Sequence, residues 1–236
     1  MNLLLLTETD LLSPQRAQIS DKRRLEHIVR VLKAREGDTL TVGLLNGDWG
    51  EGLISTLNES AVVLELALNR PAPAPLPLTL LLALPRPQQI KRILQTVAAT
   101  GIKELHLMQT RRVEKSYWQS PSVTGEEIHR QLVLGLEQGR DTLMPRVHLH
   151  KRFRPFVEDE LPGLLDERLA LVAHPYTSAP CPAQVTQPTV LAVGPEGGFN
   201  DFEIERFAEA GFQGVHLGER ILKTEIAIPF LIGRLF

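Results

Sequence analysis

The sequence has few of the features that would place a protein in a membrane or outside the cell. Cys181 is the only cysteine among 236 residues, so a framework of intramolecular disulfides is impossible. The apolar run at residues 3–6 is too short for a signal-peptide core, and no basic residue precedes it. No other stretch is long and apolar enough to span a bilayer. We therefore expect a soluble, cytoplasmic protein that does not associate with membranes.

The sequence also lacks the strong positive excess of many nucleic-acid binders, because its formal net charge is −2. Basic residues are nevertheless clustered, most densely between residues 21 and 35 and again at 111–115 and 151–154. Each cluster is either a solvated surface or a contact for nucleic acid. The candidate nucleic-acid contacts that we select are Arg23, Arg24, Arg30 and Arg112.

Alternating prolines between residues 71 and 77 mark the sharpest change in composition. Such a segment cannot form a helix and favours an extended spacer. We therefore predict a first domain at residues 1–70, a proline-rich linker at 71–77 and a second domain at 78–236. The first domain reads as small and mostly β. Its predicted elements are a helix over 22–34 and strands over 39–44, 49–57 and 61–68.

The second domain alternates strand and helix patterns, which indicates an α/β fold with a largely parallel sheet. Its predicted strands cover residues 78–84, 104–108, 146–150, 168–173, 189–193 and 214–217. Its predicted helices cover 88–99, 125–136, 155–165 and 201–210, and a last helix begins at about residue 224.

A glycine-rich turn follows the buried strand that ends at Val193. It reads Gly194-Pro195-Glu196-Gly197-Gly198, and Asn200 with Glu203 forms a predicted capping box for the next helix. Ligands of α/β sheets bind beyond the carboxyl ends of strands, where glycines allow the backbone to approach them closely. The alternative is an ordinary strand-to-helix turn. The turn lacks the sequence patterns of phosphate and dinucleotide loops, which argues against nucleoside triphosphates and NAD.

Two further strand ends carry polar residues. One continues through Gly218 to Arg220, which either holds an anion or a polarised carbonyl or is a surface residue. The other reaches His174, which is a base, a hydrogen-bond donor to a ligand or a capped loop residue. His148, His150 and Cys181 form no recognisable zinc spacing with His174, and we expect no metal.

The two C-terminal motifs together resemble one known family. Gly-Pro-Glu-Gly-Gly-Phe at 194–199, followed by Leu-Gly-Glu-Arg-Ile-Leu-Lys-Thr-Glu at 217–225, is similar to the signature of the RsmE family. Its members are 16S ribosomal RNA (uracil-N3)-methyltransferases of the SPOUT class. Weaker similarities lie at 27–38, 110–115 and 137–145, so the resemblance covers nearly the whole chain.

The resemblance implies a fold, a cofactor and an assembly. The fold is a SPOUT domain with a C-terminal trefoil knot, preceded by a small PUA-like, β-rich domain that binds ribosomal RNA or the small ribosomal subunit. The protein acts as a homodimer and uses S-adenosyl-L-methionine. The implied cofactor-binding residues are Ala173, His174, Gly194, Pro195, Glu196, Gly197, Gly198, Leu217, Gly218, Ile221, Leu222 and Thr224.

Methylation of uracil N3 requires loss of the N3 proton and stabilisation of charge on the carbonyl oxygens. Arg220 is the candidate donor to a carbonyl. Glu225 and Glu196 are either proton acceptors or caps of backbone amides, and a solvent hydroxide or an RNA phosphate is the alternative acceptor. Three hypotheses remain. The first is a uridine N3 methyltransferase of 16S ribosomal RNA. The second is a SPOUT enzyme that acts on another RNA position or on the ribose 2′-OH. The third is a non-catalytic RNA-binding relative.

Overall fold

The computed structural model describes residues 2–236 and divides the chain into two compact units. The first unit comprises Met1–Ala74 together with Leu132–Met144. The second comprises Pro75–Gln131 and Pro145–Phe236.

A six-stranded sheet forms the first unit. Its strands lie in the order β1-β4-β5-β6-β3-β2, and every neighbouring pair is antiparallel except β1 and β4. Alternate residues point into a core that includes Leu6, Ile19, Ile28 and Leu64, none of which has exposed surface. The strands are β1 (Leu4–Leu6), β2 (Leu11–Ser13), β3 (Arg16–Ile19), β4 (Thr39–Leu44), β5 (Trp49–Leu57) and β6 (Val62–Arg70).

The helix of the first unit is shorter than the predicted span of 22–34. It begins as α1 (Lys22–Glu26), capped by the side chain of Asp21, and continues as a π-helical turn over His27–Val31. Lys33 has a φ of +53°, a left-handed conformation that ends the helix. The amide of Ala34 donates to the carbonyl of Ile28 at 3.1 Å and closes this end. A 3₁₀ turn at Glu8–Asp10 joins β1 to β2.

Leu132–Met144 packs with the first unit, although the sequence analysis assigned these residues to the second domain. The amides of Asn2 and Leu3 both donate to the carbonyl of Glu137, at 2.9 and 3.0 Å. The hydroxyl of Thr142 donates to the carbonyl of Gly47 at 2.5 Å. These contacts are long-range in sequence, so composition and periodicity gave no sign of them.

The second unit is an α/β fold with a six-stranded sheet, as predicted. All its strands are parallel, in the order β12-β10-β11-β7-β8-β9. Every residue of the central strands β7 and β11 is buried, which explains why their sequences are apolar except for Thr79 and Thr189 and do not alternate. The strands are β7 (Leu78–Ala83), β8 (Glu104–Met108), β9 (Arg146–His150), β10 (Leu169–Ala173), β11 (Thr189–Val193) and β12 (Gln213–Val215).

Most helices of this unit begin and end close to their predicted positions. Pro87 starts its helix at a position where a missing amide hydrogen has no cost. The predicted helix over 155–165 is instead three short pieces, namely α4 (Phe153–Pro155), a π-helical turn at Phe156–Glu160 and a 3₁₀ turn at Leu161–Leu164. The other helices are α2 (Pro87–Ala99), α3 (Gly125–Gly139), α5 (Asp201–Glu209) and α6 (Thr224–Leu235), with 3₁₀ turns at Lys115–Gln119 and Pro121–Val123. Within residues 2–236, no helix has both the length and the apolar character needed to cross a membrane.

Candidate active site

Three loops leave neighbouring strands at one edge of the parallel sheet. In the register of the sheet, Ala173 at the end of β10 pairs with Val193 of β11 on one side and with Val215 of β12 on the other. The chain beyond each of these residues therefore emerges at the same place. The amide of His174 donates to the carbonyl of Val215 at 2.9 Å and joins the first loop to the third.

These loops enclose a cavity of about 330 Å³. Its volume lies within the range of small-molecule sites, roughly 300–1,000 Å³. All twelve predicted cofactor-binding residues and Arg220 line it. The predicted residues in the cavity wall are Ala173, His174, Gly194, Pro195, Glu196, Gly197, Gly198, Leu217, Gly218, Ile221, Leu222 and Thr224.

The glycine-rich turn after β11 has the conformation that its sequence requires. Gly198 has a φ of +72°, and its amide donates to the carbonyl of Pro195 at 2.8 Å. A Cβ atom on Gly194 would lie 3.1 Å from the amide nitrogen of Phe199, so that position is tightly packed. A Cβ atom on Gly198 would meet only Arg112 Nη1, at 3.8 Å. The turn is thus compact at Gly194 and open at Gly198.

Helix α5 begins directly after this turn with the predicted capping box. The side chain of Asn200 accepts from the amide of Glu203 at 2.8 Å, and Glu203 Oε2 accepts from the amide of Asn200 at 3.0 Å. The reciprocal bonds fix the direction in which the chain leaves the turn.

Arg112 lies against the glycine-rich turn. Its Nη1 donates to the carbonyl of Gly197 and, at 3.4 Å, to that of Phe199. Arg112 was predicted to be a nucleic-acid contact. Because 85 residues separate it from Gly197, the sequence gave no sign of this hydrogen bond. In the structure the guanidinium group supports a wall of the cavity.

The loop after β12 contributes Gly218, which has a φ of +112° and donates its amide to Nδ1 of His216 at 3.0 Å. The last helix begins where the sequence predicted it. Lys223 occupies the N-cap position, and Thr224 begins α6. The buried hydroxyl of Thr224 donates to the carbonyl of Gly194 at 3.3 Å, which ties the third loop to the second.

His174 has a fixed backbone and a ring nitrogen that is free for a ligand. Its carbonyl accepts from the amide and the hydroxyl of Thr177, at 3.4 and 3.0 Å. Its Nδ1 is buried and has no hydrogen-bond partner among residues 2–236. Burial lowers the pKa of His174 below its ordinary value; nearby Asp201 opposes this shift and Arg112 adds to it. The ring is therefore neutral near pH 7, and a bound ligand can pair with Nδ1.

The charged groups of the cavity differ in part from those expected. Arg220 is exposed at its edge and forms no ion pair with the described part of the chain. The carboxylates that line the cavity are those of Glu196 and Asp201. Glu225, the other expected proton acceptor, is not among the lining residues, and its buried Oε2 has no hydrogen-bond partner within residues 2–236.

Asp201 and the apolar walls were not predicted. Asp201 is the first residue of α5, and no sequence motif pointed to it as a cavity residue. The apolar lining residues lie at the ends of predicted strands or on the last helix, so a search for positions next to the loops would have found several of them. They are Val193, Phe199, Val215, Ala227 and Leu231.

The three arginines of the first unit that were predicted to contact nucleic acid differ in how accessible their guanidinium groups are to an external anion. Both Arg24 nitrogens Nη1 and Nη2 donate to the carboxylate of Asp10 at 2.8 Å, and the Arg24 side chain is only 14% exposed. Burial would raise the pKa of Asp10, but the hydrogen bonds from Arg24 and Thr7 outweigh it, and the pKa lies below its usual value. Arg24 is thus part of an internal ion pair, which corrects its selection as a surface contact.

Arg23 and Arg30 remain on the surface. Arg23 donates to both oxygens of the buried Glu137 carboxylate, at 2.8 and 3.1 Å, while about half of its side chain is exposed. Arg30 is exposed and has no ion pair within residues 2–236. Of the three, Arg30 is therefore the most available to an external anion.

The comparisons with known proteins agree on one family. A family model described as RNA methyltransferase domain matches residues 72–235. Ribosomal RNA small subunit methyltransferase E of Treponema pallidum is 32% identical over 209 residues, which is 86% of this chain and 79% of that protein. Ribosomal RNA small subunit methyltransferase E 1 of Borreliella burgdorferi is 24% identical over 228 residues, which is 96% of this chain and 94% of that protein.

A solved structure has the same fold over almost the whole chain. It is the ribosomal RNA small subunit methyltransferase E of Neisseria gonorrhoeae, which was crystallised with S-adenosyl methionine. The TM-score is 0.75 at 22% sequence identity, covering 98% of this chain and 95% of that one. The family match spans every residue that lines the cavity. The resemblance found in the C-terminal motifs is thereby confirmed, and the chain belongs to the RNA methyltransferase domain family, among the proteins named ribosomal RNA small subunit methyltransferase E.

Proposed function

We propose that the protein transfers a methyl group from S-adenosylmethionine to N3 of a uridine in 16S ribosomal RNA. One observation carries the proposal: the loops after β10, β11 and β12 enclose a single cavity in a chain that belongs to an RNA methyltransferase family. The substrate class comes from the relatives, which are named for small-subunit ribosomal RNA. The cofactor is the molecule crystallised with the Neisseria gonorrhoeae protein.

The residues of the cavity fit this cofactor. Gly198 leaves open space where a side chain would stand, and its positive φ turns the backbone in a way that other residues rarely adopt. The unpartnered Nδ1 of His174 offers a polar contact beside apolar walls. We infer that the loop ending in His174, the turn Gly194–Gly198 and the loop Leu217–Thr224 hold the cofactor. When bound, it would supply an electrophilic methyl group on a sulfonium.

Arg220 stabilises the charge that develops on the substrate. Uracil N3 attacks only after its proton leaves, and the negative charge then spreads onto the two carbonyl oxygens. A guanidinium at the edge of the cavity donates more strongly to such an oxygen than to a neutral carbonyl, so it favours the transition state. The new bond joins N3 to the methyl carbon as the bond from that carbon to sulfur breaks.

We assign the proton acceptor to Glu196. Of the two carboxylates proposed from the sequence, Glu196 lines the cavity and Glu225 is not among its lining residues. Glu196 Oε1 accepts from the amide of Arg86 at 3.1 Å, which holds the carboxylate in place while leaving its other oxygen available. Asp201 lines the same cavity but lies in the first turn of α5 and was not among the carboxylates proposed from the sequence.

We further propose that residues 1–70, together with Leu132–Met144, form a PUA-like RNA-binding domain, that 71–77 act as a linker and that the rest of 78–236 forms a SPOUT domain with a C-terminal trefoil knot. The order β12-β10-β11-β7 supports the last point, since β12 lies beside β10 and not beside β11, the strand that precedes it in the chain. We propose that the protein acts in the cytoplasm. No metal has a role in this proposal.

The protein is proposed to act as a homodimer. Helix α6 buries Ile228, Leu231 and Leu235, yet it exposes 42% of Ile226 and 62% of Phe230. The two exposed residues are four positions apart and therefore lie on the same face of the helix. A second copy of the chain would cover this apolar face.

The decisive test is nucleoside analysis of 16S ribosomal RNA methylated by the purified protein with labelled S-adenosylmethionine. The expected product is 3-methyluridine. A labelled methyl group on another base or on a ribose 2′-OH would show instead that the protein is a SPOUT enzyme with a different target. Cofactor binding without transfer to RNA or to small subunits would indicate a non-catalytic RNA-binding relative.

A further inference from the structure

A second cleft, of about 580 Å³, lies in the α/β unit beside the cofactor cavity. It is formed by three segments of chain, at residues 109–115, 152–155 and 200–203. Two of these segments carry basic clusters that are about 40 residues apart in the sequence. The fold brings them together, so that Arg111, Lys115, Arg152 and Arg154 line one concave surface.

The positive charge of this cleft is little neutralised by the protein. The side chains of Arg111, Lys115 and Arg152 are exposed, and none of them forms an ion pair with residues 2–236. Arg154 pairs with Glu158 at 3.0 Å, but both side chains are largely exposed and such a pair contributes little. The cleft therefore favours a polyanion.

The one carboxylate that lines the cleft, that of Glu203, already accepts hydrogen bonds from backbone amides. Glu203 is 2% exposed, and its Oε1 accepts from the amide of Arg111 at 2.6 Å while its Oε2 accepts from the amide of Asn200. Glu203 thus joins two walls of the cleft through backbone amides and leaves the guanidinium of Arg111 unpaired.

The cleft and the cofactor cavity share a wall. Along the first segment, Arg112 lines the cavity whereas Arg111 lines the cleft. Along the third, Phe199 and Asp201 line the cavity whereas Asn200 and Phe202 line the cleft. These two backbone segments border both spaces, so a strand bound in the cleft would lie beside the cofactor cavity.

We propose that this cleft binds the sugar–phosphate backbone of the RNA strand that carries the target nucleotide. The inference rests on the proposed function for the identity of the polyanion. Phosphate contacts by lysine and arginine orient a strand without reading its sequence, which is what an enzyme needs beside its reacting base. Phe202 is 43% exposed in the same cleft, with the guanidinium groups of Arg154 and Arg206 at 6.0 and 5.4 Å from its ring centre. The ring holds Arg154 towards the cleft.

The test compares two double variants of equal charge. The cleft variant is Lys115→Gln with Arg152→Gln, and the control is Arg92→Gln with Arg130→Gln, which changes two exposed arginines that line neither space. The probe is protein-free 16S ribosomal RNA, and its affinity is measured between 50 and 200 mM salt.

The cleft variant should bind this RNA about tenfold or more weakly, and its salt slope should fall by about 1.4, the value for two lost contacts to a single strand. Its affinity for S-adenosylmethionine, measured by calorimetry, and its thermal midpoint should stay those of the parent. The control should bind RNA as the parent does. Recovery by Lys115→Arg with Arg152→Lys would confirm that charge is responsible.

An unchanged RNA affinity and salt slope in the cleft variant would overturn the proposal. So would weaker binding to intact small subunits alone, since the cleft would then contact a ribosomal protein. Neither result would refute the proposed methylation of uridine N3, because nucleoside analysis of the parent enzyme's product tests that separately. Conversely, a parent that forms no 3-methyluridine would refute the proposed function while the binding comparison could still be read.

Discussion

Arg220 is the residue on which the proposed chemistry depends most directly. It lines the cofactor cavity and has no ion-pair partner in the described chain, so its charge is available to a substrate oxygen. Because a donor of this kind acts mainly in the transition state, Arg220→Ala should reduce the single-turnover rate by about two decades or more. Cofactor affinity should change by no more than a few-fold.

The rate should be measured with saturating cofactor, and cofactor binding by calorimetry. Arg220→Lys should recover little, because an ammonium group cannot reproduce the planar fork of a guanidinium. Glu219→Gln is the matched control, since this neighbour is also exposed but does not line the cavity. A normal rate in Arg220→Ala would leave charge stabilisation to backbone amides.

His106 makes the stability of the protein depend on pH. Burial, with the neighbouring His148 and His150, lowers the pKa of His106 from 6.5 to about 3. Its ring stacks on that of His148, with centroids 4.5 Å apart, and its Nδ1 lies 2.9 Å from Nε2 of His150. Between about pH 6.5 and pH 3 the unfolded chain binds a proton at His106 that the folded chain does not bind. The free energy of unfolding therefore falls as the pH is lowered through this range.

His106→Leu should therefore lose less stability than the parent when the pH falls from 7 to 5. Denaturant unfolding at several pH values measures the difference. His129→Leu removes an exposed histidine and should show the parent's dependence. The attribution to His106 is incorrect if the parent and His106→Leu curves remain parallel over this range.

The elements that the sequence predicted best are those with a strong local pattern. Strands β8, β9 and β11 have the predicted limits, because each is a short apolar or alternating run between turn signals. Strands β1, β2 and β3 were missed, since three or four residues are too few to show a period. The region 155–165 shows helical spacing, but it forms π and 3₁₀ turns, whose stability comes from packing of Phe156 and Leu161.

The cofactor loops were predictable for a different reason. Glycines after buried strands point to a ligand site, and the three loops meet because parallel strands end at the same edge. The contact of Arg112 with Gly197 and the place of Asp201 in the cavity wall depend on tertiary packing, so local sequence could not reveal them.

A substitution in the turn between β11 and α5 tests whether the cofactor binds there. Gly198→Val should abolish binding of S-adenosylmethionine, because the branched side chain would occupy the open space at this position. The positive φ of +72° also strains the backbone of any such variant, at a cost of about 1–3 kcal/mol.

Gly211→Val separates the two effects. Gly211 has a φ of +93°, a Cβ atom there would meet nothing within 4 Å, and the residue lies outside the cavity lining. This variant should lose a similar amount of stability but bind the cofactor as the parent does, as measured by calorimetry. Normal binding by Gly198→Val would show that the cofactor does not occupy this turn.

The proline-rich segment predicted a domain boundary that the packing of the chain only partly follows. One unit ends at Ala74, inside the predicted linker, but it also takes Leu132–Met144 from later in the chain. Glu137 explains why, because its carbonyl accepts two amides near the N-terminus and its buried carboxylate accepts from Arg23. A pairing over more than a hundred residues leaves no local trace in a single sequence.

The apolar face of α6 leads to the prediction for the assembly. Ile226 and Phe230 are exposed on the helix that begins in the cofactor cavity at Thr224. Burying an aromatic side chain of this kind in an interface is worth roughly 2–3 kcal/mol, whereas burying a carboxylate there is strongly unfavourable. The parent should therefore have the mass of two chains in light scattering at micromolar concentration, and Phe230→Glu should have the mass of one.

Leu12→Glu is the control for this change. Leu12 is 57% exposed on β2 in the other unit, so its replacement introduces the same charge at an exposed apolar position and leaves the sequence of α6 unchanged. It should remain a dimer. If Phe230→Glu also remains a dimer, or if the parent is a monomer, the apolar face of α6 is not the dimer interface. If Phe230→Glu is a monomer that still binds S-adenosylmethionine but no longer methylates RNA, the cofactor site is complete in one chain and the partner is needed for the substrate alone.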